Sequence, residues 1–247
     1  MAAISRTAQF AKLHKILKKY YKPVCYETNR TVLEQLAFAC LLEDAHCERA
    51  EEAYAALTHT YFDWNEIRVT SVTELAEATS MLPDPRAAGQ RLKRVLQSIF
   101  EETYSFDLED KRKQNIGAVI KWLEKLDGCT RFVISFVVQM ALGGHAIPVD
   151  TSTLKVLRLV DLITDKDVQA GVVPGLERAV SKAKGVEFGG LLHQLGADFA
   201  VNPFSPALRE ILLQLCPEAE QRLPKRRAER PAQPQPAERS SQPADSS

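Results

Sequence analysis

One carboxylate is distinguished by its position, between a short extended run and an amphipathic helix. Asp150 follows the residues Ala-Ile-Pro-Val and precedes Thr-Ser-Thr-Leu-Lys-Val-Leu-Arg-Leu-Val, whose apolar side chains recur at helical spacing. An aspartate in this place can cap the helix by accepting hydrogen bonds from backbone N–H groups. A carboxylate can also orient or deprotonate a water molecule and stabilise a nearby cation. The sequence leaves both roles open, and one side chain can perform both.

The segment before this aspartate has the residue types of a turn, a buried helix and a helix stop. Gly128 suits a turn with positive φ or a close backbone approach. A strongly apolar run follows, and Gly143 and Gly144 come directly after its last large side chain, where helices usually end. Pro148 prevents the helix from resuming early. We therefore expect a glycine turn, an apolar helix and a second helix that begins at Asp150.

The cysteine content and hydropathy argue against a disulfide framework, a metal site and a membrane span. Lysine plus arginine equals aspartate plus glutamate at 32 each, so the net charge neither supports nor excludes a polyanionic partner. The five cysteines are scattered and form no Cys-x-x-Cys pair, so we expect reduced thiols, no disulfide framework and no metal site. No apolar run approaches the roughly 18 residues of a membrane span. These features predict a cytoplasmic protein without a membrane partner. The cysteines are Cys25, Cys40, Cys47, Cys129 and Cys216.

Apolar residues at helical spacing predict an all-α fold, because no segment shows the period-two alternation of a strand. The first helix, at 6–22, carries six basic residues around an apolar stripe. Its basic side would be a solvated face or, alternatively, a phosphate-binding face. His193 lies in the apolar run 189–200 and is expected to be a hydrogen-bonded core residue. From 217 the chain is rich in Pro, Gln, Glu, Arg, Ala and Ser, which predicts a disordered tail at 217–247. Further helices are expected at 31–42, 43–57, 87–104, 111–126, 154–163, 176–183, 189–200 and 207–215.

The order of turn, apolar helix, Gly-Gly stop and Val-Asp-Thr motif resembles the helix-hairpin-helix DNA glycosylases of the endonuclease III superfamily. The hairpin of that family reads Leu-Pro-Gly-Val-Gly-x-Lys-Thr-Ala, and Leu126, Gly128 and Arg131 keep its frame. Phe132 stands at the lysine position of the family. The interval from Phe132 to Asp150 is the one that the family uses between its lysine and its aspartate. The resemblance covers about residues 5–216 and is most specific in this unit.

The resemblance implies two helical subdomains with a helix-hairpin-helix and a cleft between them. One glycosylase-like domain would span 1–216. Its six-helix barrel subdomain would comprise 31–149, and residues 1–30 would pack with 150–216 as the second helical subdomain. The expected partner is double-stranded DNA, bound by a monomer that associates with the nucleoid if the source is bacterial.

The resemblance also implies roles for the hairpin residues. In the family, the hairpin offers backbone N–H groups to a DNA phosphate, and paired glycines permit that close approach. Here Gly128, Cys129, Thr130 and Arg131 would hold the strand, with Lys125 beside them. Thr130 replaces the second glycine, which weakens the match. For the two cations, the alternative is an ordinary solvated helix face.

The implied chemistry is hydrolysis of an N-glycosidic bond without strand cleavage. Asp150 would stabilise the positive charge that builds up on the sugar and orient the attacking water. Phe132 replaces the lysine that forms a Schiff base in bifunctional relatives, so no β-lyase activity is expected. A base rotated out of the duplex needs a pocket, and Phe132 and His145 are candidates to line it. For His145 the alternative is a surface loop residue.

Two further features depart from the family pattern. Many relatives bind an iron–sulfur cluster with Cys-x6-Cys-x2-Cys-x5-Cys, a spacing that falls here on Ala200, Ala207, Glu210 and Cys216. Three ligands are missing, so no cofactor is expected. The loop that inserts a glutamine into DNA in relatives falls at 42–45, where two carboxylates would repel phosphates.

Three hypotheses follow. The first is a monofunctional base-excision glycosylase in which Asp150 is catalytic, and the sequence favours this hypothesis over the others because the aspartate is intact and in register. The second is a catalytically silent relative that binds DNA or a protein partner. Thr130, the acidic segment at 43–52 and the zero net charge favour this second hypothesis. The third is a helical interaction protein whose hairpin match is coincidental, and the Val-Asp-Thr motif at the family interval argues against it.

Overall fold

A computed structural model describes residues 6–224 of the 247-residue chain. Within that range it contains thirteen α-helices, two short 3-10 helices and no strand, so the predicted all-α class is confirmed. No helix in the described range is both long and apolar enough to cross a lipid bilayer. The buried apolar residues form two separate clusters.

The first hydrophobic cluster takes all its buried residues from 32–141, with α2 at its centre. This helix packs against α3, α6 and α8, and ten of its eleven residues are buried. Thr31 and Glu34 form a capping box that fixes its start. The helices are α2 (Val32–Leu42), α3 (Cys47–Thr60), α4 (Trp64–Val69), α5 (Val72–Ala78), α6 (Pro85–Thr103), α7 (Ile116–Leu123) and α8 (Arg131–Met140).

The second cluster combines buried residues of 10–17 with those of 147–223, around α12. The N-terminal helix α1 packs against α11, α12 and α13, and α9 packs against α12. The helices are α1 (Arg6–Tyr20), α9 (Thr151–Leu159), α10 (Asp165–Ala170), α11 (Leu176–Ala179), α12 (Lys182–Val201) and α13 (Pro206–Leu215).

Several boundaries differ from the sequence prediction for identifiable reasons. Asp44 adopts a φ of +61°, so the chain turns there and α3 begins only at Cys47. The helix predicted at 111–126 is a 3-10 helix, Glu109–Lys113, followed by α7, because Asn115 caps a new helix start. Asn115 accepts hydrogen bonds from the N–H groups of the first turn of α7.

The start of the predicted disordered tail is also corrected. Pro217–Gln221 forms a 3-10 helix, and the side chains of Ala219 and Leu223 are buried in the second cluster. The composition of this segment is otherwise polar, and these two apolar side chains are enough to pack it against the second cluster. The remainder of the predicted tail, 225–247, lies outside the described residues.

The hairpin unit connects the two clusters. Helix α7 leads into the turn at Gly128, and α8 then packs against α7 and α2. After α8 the chain runs through the extended segment 143–149 to Asp150, which caps α9. Because α8 belongs to the first cluster and α9 to the second, the aspartate lies where the two clusters meet.

Candidate functional site

Asp150 is buried, and both of its carboxylate oxygens are engaged. Its side chain is 0% exposed. Oδ1 accepts a hydrogen bond of 2.7 Å from the backbone N–H of Thr153, which is the N-cap bond of α9. Oδ2 lies 2.9 Å from Nδ1 of His193 on α12, and apart from this contact neither atom has a hydrogen-bonding partner. The predicted capping role is therefore present in the structure.

The hydrogen bonds of His193 determine its protonation state. Nε2 lies 2.8 Å from the carbonyl oxygen of Ala45, which can only accept, so Nε2 carries a proton. Nδ1 faces the carboxylate of Asp150. When Nδ1 is protonated as well, His193 is a positively charged imidazolium and forms an ion pair with the Asp150 carboxylate. The N–H groups at the start of α9 favour the charged carboxylate further.

The pKa shifts of the two groups agree with a charged pair. Burial opposes the charge on Asp150, but the contact with His193 and the hydrogen bonds from Thr153 outweigh it and hold the pKa of the carboxyl below its ordinary value. Burial likewise opposes the charge on His193, but Asp150 and the carbonyl of Ala45 raise the pKa of the imidazole. Such a pair is costly to break, because the remaining charge would stay buried.

Phe132 and Gly196 close the space around this pair. The ring of Phe132 is 2% exposed and stacks on the His193 ring, with centroids 5.3 Å apart and planes at 28°. On the other side, a side chain at Gly196 would place its Cβ 3.0 Å from Oδ1 of Asp150. The backbone of α12 therefore approaches the carboxylate as closely as glycine allows. Asp150 is enclosed by side chains and backbone rather than by solvent.

Two cavities lie near the site, and the enclosed pair lines neither of them. The cleft at the end of α2 measures about 430 Å³ and is bordered by Glu43, Asp44, Arg91, Ser152 and Lys155. A second cavity of about 380 Å³ lies between α7, α8 and the segment 171–177. Neither cavity has Asp150 or Phe132 in its wall.

The predicted pocket residues Phe132 and His145 do not share either of these cavities. His145 lines the α7–α8 cavity, and its Nε2 lies 2.9 Å from the carbonyl oxygens of both Glu177 and Val180. It fastens the segment before Asp150 to α11. Phe132 is instead buried in the first cluster, where its ring also stacks on His193 of α12.

The hairpin turn keeps the geometry that its glycine predicts. Gly128 has a φ of +85°, and a Cβ there would lie 2.8 Å from the carbonyl oxygen of Arg91 on α6. Both the left-handed conformation and the close approach require glycine. The N–H of Cys129 donates to the carbonyl of Leu126 within the turn, so this amide is already engaged. Burial raises the pKa of the Cys129 thiol, which remains neutral.

Thr130 has a structural role that explains the loss of the second glycine. Its hydroxyl oxygen accepts from the N–H of Val133, which caps α8, and its hydroxyl donates to Oε2 of Glu43 at 2.8 Å. Glu43 also lies 3.2 Å from Arg91 on α6. The hairpin, α2 and α6 are thus tied together at one carboxylate. This network joins residues that are distant in the sequence, so spacing gave no sign of it.

The two carboxylates expected to repel phosphates are both engaged within the chain. The side chain of Glu43 is only 7% exposed and is paired with Arg91. Burial raises the pKa of Glu43, although Arg91 and Thr130 act in the opposite direction. Asp44 accepts a 2.9 Å hydrogen bond from the N–H of Ser152 in α9. Their charges are therefore partly offset, which corrects the simple expectation of repulsion.

The exposed side of the hairpin carries cations with no carboxylate partner in the described part of the chain. Lys125 and Arg131 are both exposed and form no ion pair there. Arg94 lies 3.8 Å from Asp127, which weakly offsets its charge. The N–H of Val133 is capped by Thr130, whereas the N–H groups of Arg131 and Phe132 at the start of α8 have no acceptor within the helix. These groups can bind an anion such as a phosphate.

The four positions of the family's cluster ligands do not fit an iron–sulfur cluster. Ala200 lies in α12, Ala207 and Glu210 lie in α13, and only Cys216 offers a thiolate sulfur. The thiol of Cys216 lies 3.3 Å from Oε2 of Glu218. Across residues 6–224, no group of three or more His, Cys, Asp or Glu side chains is placed to hold a metal ion.

Comparison with solved structures identifies the architecture. A covalent complex of endonuclease III with DNA is 18% identical, and the match spans 90% of this chain and 100% of that one with a TM-score of 0.59. A thermostable thymine-DNA glycosylase is 17% identical over 87% and 97% of the two chains, with a TM-score of 0.56. The H. pylori 3-methyladenine DNA glycosylase, bound to 1,N6-ethenoadenine, is 14% identical over 82% and 100%, with a TM-score of 0.54. No protein-family model and no curated protein matches the sequence. The chain therefore has the all-α fold of endonuclease III and the DNA glycosylases that resemble it.

Proposed function

We propose that the protein is a DNA-binding relative of the helix-hairpin-helix glycosylases that does not cleave the N-glycosidic bond. The enclosure of Asp150 is the observation that carries this proposal. Its carboxylate is 0% exposed, pairs with His193, and borders neither neighbouring cavity. In this arrangement the aspartate stabilises the junction of the two clusters instead of acting on a sugar.

The chemistry of excision needs a carboxylate that reaches the sugar and the attacking water. Here Oδ1 is occupied by the N–H of Thr153, and Oδ2 faces the His193 imidazolium. The ring of Phe132 is 2% exposed and stacks on His193, which adds to the enclosure of the pair. The phenyl ring also offers no amine for a Schiff base, so the covalent route is absent as well.

The hairpin supports the DNA-binding half of the proposal. Gly128 retains the left-handed turn, the exposed residues Lys125 and Arg131 flank it in the sequence, and the N–H groups of Arg131 and Phe132 begin α8. Backbone N–H groups and nearby cations bind phosphates without reading bases. The expected binding partner of the hairpin is therefore the phosphate backbone of duplex DNA. The solved structures of this fold include endonuclease III bound to DNA.

A salt titration of DNA binding tests this half. Wild-type protein should bind a 20-base-pair duplex with an affinity that falls as salt rises. For the variant Lys125→Gln/Arg131→Gln, the plot of log association constant against log salt concentration should be less steep by about 1.8. Each lost phosphate contact removes about 0.9 from the magnitude of this slope. The matched control is Lys113→Gln/Lys166→Gln, which removes two exposed lysines elsewhere and should leave the slope unchanged. Salt-independent binding, or equal slopes for both variants, would overturn the assignment of the hairpin.

The second candidate is a monofunctional glycosylase that opens the site on binding DNA. It is favoured by the register and the charge of Asp150, since His193 keeps the carboxylate ionised. Opening would require the rings of Phe132 and His193 to separate. This candidate predicts alkali-labile products from a lesion-containing duplex, lost in Asp150→Asn. The silent relative predicts no product from either protein.

A further inference from the structure

The N-terminal helix concentrates positive charge that the hairpin does not explain. No aspartate or glutamate occurs before Glu27, although the whole chain has a net charge of zero. Within α1, Lys12, Lys15, Lys18 and Lys19 are all exposed. At 100° per residue these four side chains lie within an arc of about 120°. We call this surface the α1 lysine face.

The opposite side of α1 is buried in the hydrophobic core. Phe10, Leu13 and Leu17 are at most 1% exposed and belong to the second cluster. The helix therefore cannot turn its apolar side toward a lipid bilayer without leaving the fold. An interfacial membrane helix needs such a free apolar face. The α1 lysine face is thus available to a polyanion that requires charge alone.

Neighbouring elements add charge of both signs at the edges of this face. Burial lowers the pKa of His14, and Lys184 of α12 contributes to the lowering; Lys182, two residues earlier, is exposed. Three carboxylates border the face. Glu187 pairs with Lys18 at 2.6 Å, and Glu210 accepts from the hydroxyl of Tyr20. Glu218, whose pKa is lowered chiefly by hydrogen bonds from its own N–H and from Cys216, lies near Lys12, and the Lys12 ammonium donates to the carbonyl of Leu215 at 2.8 Å. Lys15 and Lys19 have no carboxylate partner within the described residues.

The spacing of these lysines suits a phosphate backbone. From Lys12 to Lys19 the helix rises about 10.5 Å, and the same length of duplex DNA carries about six phosphate charges. Lysine side chains are flexible point charges, which neutralise phosphates but do not read base edges bidentately. We propose that the α1 lysine face is a second, sequence-independent contact surface for duplex DNA. This inference rests on the DNA binding proposed above but on different residues.

The variant Lys15→Gln/Lys19→Gln tests the surface. It should reduce the slope of log K against log salt by about 1.8 relative to wild type. The ratio of wild-type to variant affinity should therefore shrink about twelvefold between 50 and 200 mM salt. Lys113→Gln/Lys166→Gln again serves as the control, and circular dichroism and Tm should show that all the variants are folded.

The outcomes separate this inference from the role of the hairpin. Loss of slope in the α1 variant supports the inference even if Lys125→Gln/Arg131→Gln has no effect. A slope equal to that of the control overturns it, whatever the hairpin variant does. Binding to vesicles of phosphatidylserine and phosphatidylcholine tests the alternative that the α1 lysine face binds a membrane surface. Binding to vesicles that the α1 variant loses, while its DNA affinity stays at the control value, would overturn the inference in favour of a membrane surface.

Discussion

Substitution of His193 by leucine should destabilise the protein strongly, because it would leave the carboxylate of Asp150 charged in a place without water. The two side chains are 3% and 0% exposed. Removing one member of a buried ion pair costs about 3–5 kcal/mol. In a domain of this size the Tm should fall by about 6–20 °C. Leucine has a volume close to that of histidine, so packing against Phe132 changes little by comparison.

A second substitution should recover much of this loss. Asparagine caps a helix about as well as aspartate but carries no charge. In the double variant His193→Leu/Asp150→Asn, no buried charge remains, and the N–H of Thr153 still has an acceptor. We therefore expect the double variant to be more stable than His193→Leu by about 1–3 kcal/mol. Replacing a second native side chain would thus make the protein more stable than the single variant His193→Leu.

Urea unfolding, followed by far-ultraviolet circular dichroism, measures both differences. The control is His59→Leu, which replaces an exposed histidine of α3 and should change stability by less than about 0.5 kcal/mol. If His193→Leu were no more destabilising than this control, Asp150 would have to be solvated, and the enclosed site described here would be wrong. Strict additivity of the two substitutions would refute the charged pair.

Three other predictions follow from the same geometry. Because the pKa of His193 is raised, its stabilisation is complete below its ordinary value of about 6.5 and is lost as pH rises through the raised pKa. Urea midpoints should therefore fall as the pH rises above neutrality in wild type and much less in Asp150→Asn. Gly128→Ala should cost about 1–3 kcal/mol, measured by thermal unfolding, because it forces a left-handed conformation on a residue with a Cβ. Thr130→Val should cost about 1–2 kcal/mol in urea unfolding, because the α8 cap and the hydrogen bond to Glu43 are both lost, whereas Thr130→Ser should retain most of the stability.

Local chemistry was predictable from the sequence where one residue type determines one conformation. The left-handed turn at Gly128 and the N-cap at Asp150 both follow from their immediate neighbours, and both are present. The all-α class follows from helical periodicity alone. His193 was expected to be a hydrogen-bonded core residue, which its bond to the carbonyl of Ala45 confirms.

The closure of the site could not be predicted, because it depends on contacts between distant segments. The partner of Asp150 lies on α12, and the ring that covers the pair lies on α8. In the sequence, Thr130 only replaces a glycine of the family pattern. In the structure, its hydroxyl donates to Glu43 at the end of α2. No periodicity or spacing indicates which helices meet. The family pattern marks the aspartate but does not indicate whether its carboxylate remains accessible.

The most direct test is a single-turnover excision assay with protein in excess over duplexes that carry uracil, alkylated purines, or oxidised bases. Alkali treatment then reveals any abasic site, and Asp150→Asn is the control. We predict a salt-sensitive protein–DNA complex and no alkali-labile product from wild type or variant. An alkali-labile product made by wild type and absent in Asp150→Asn would contradict the account, because it would show that Asp150 reaches the sugar.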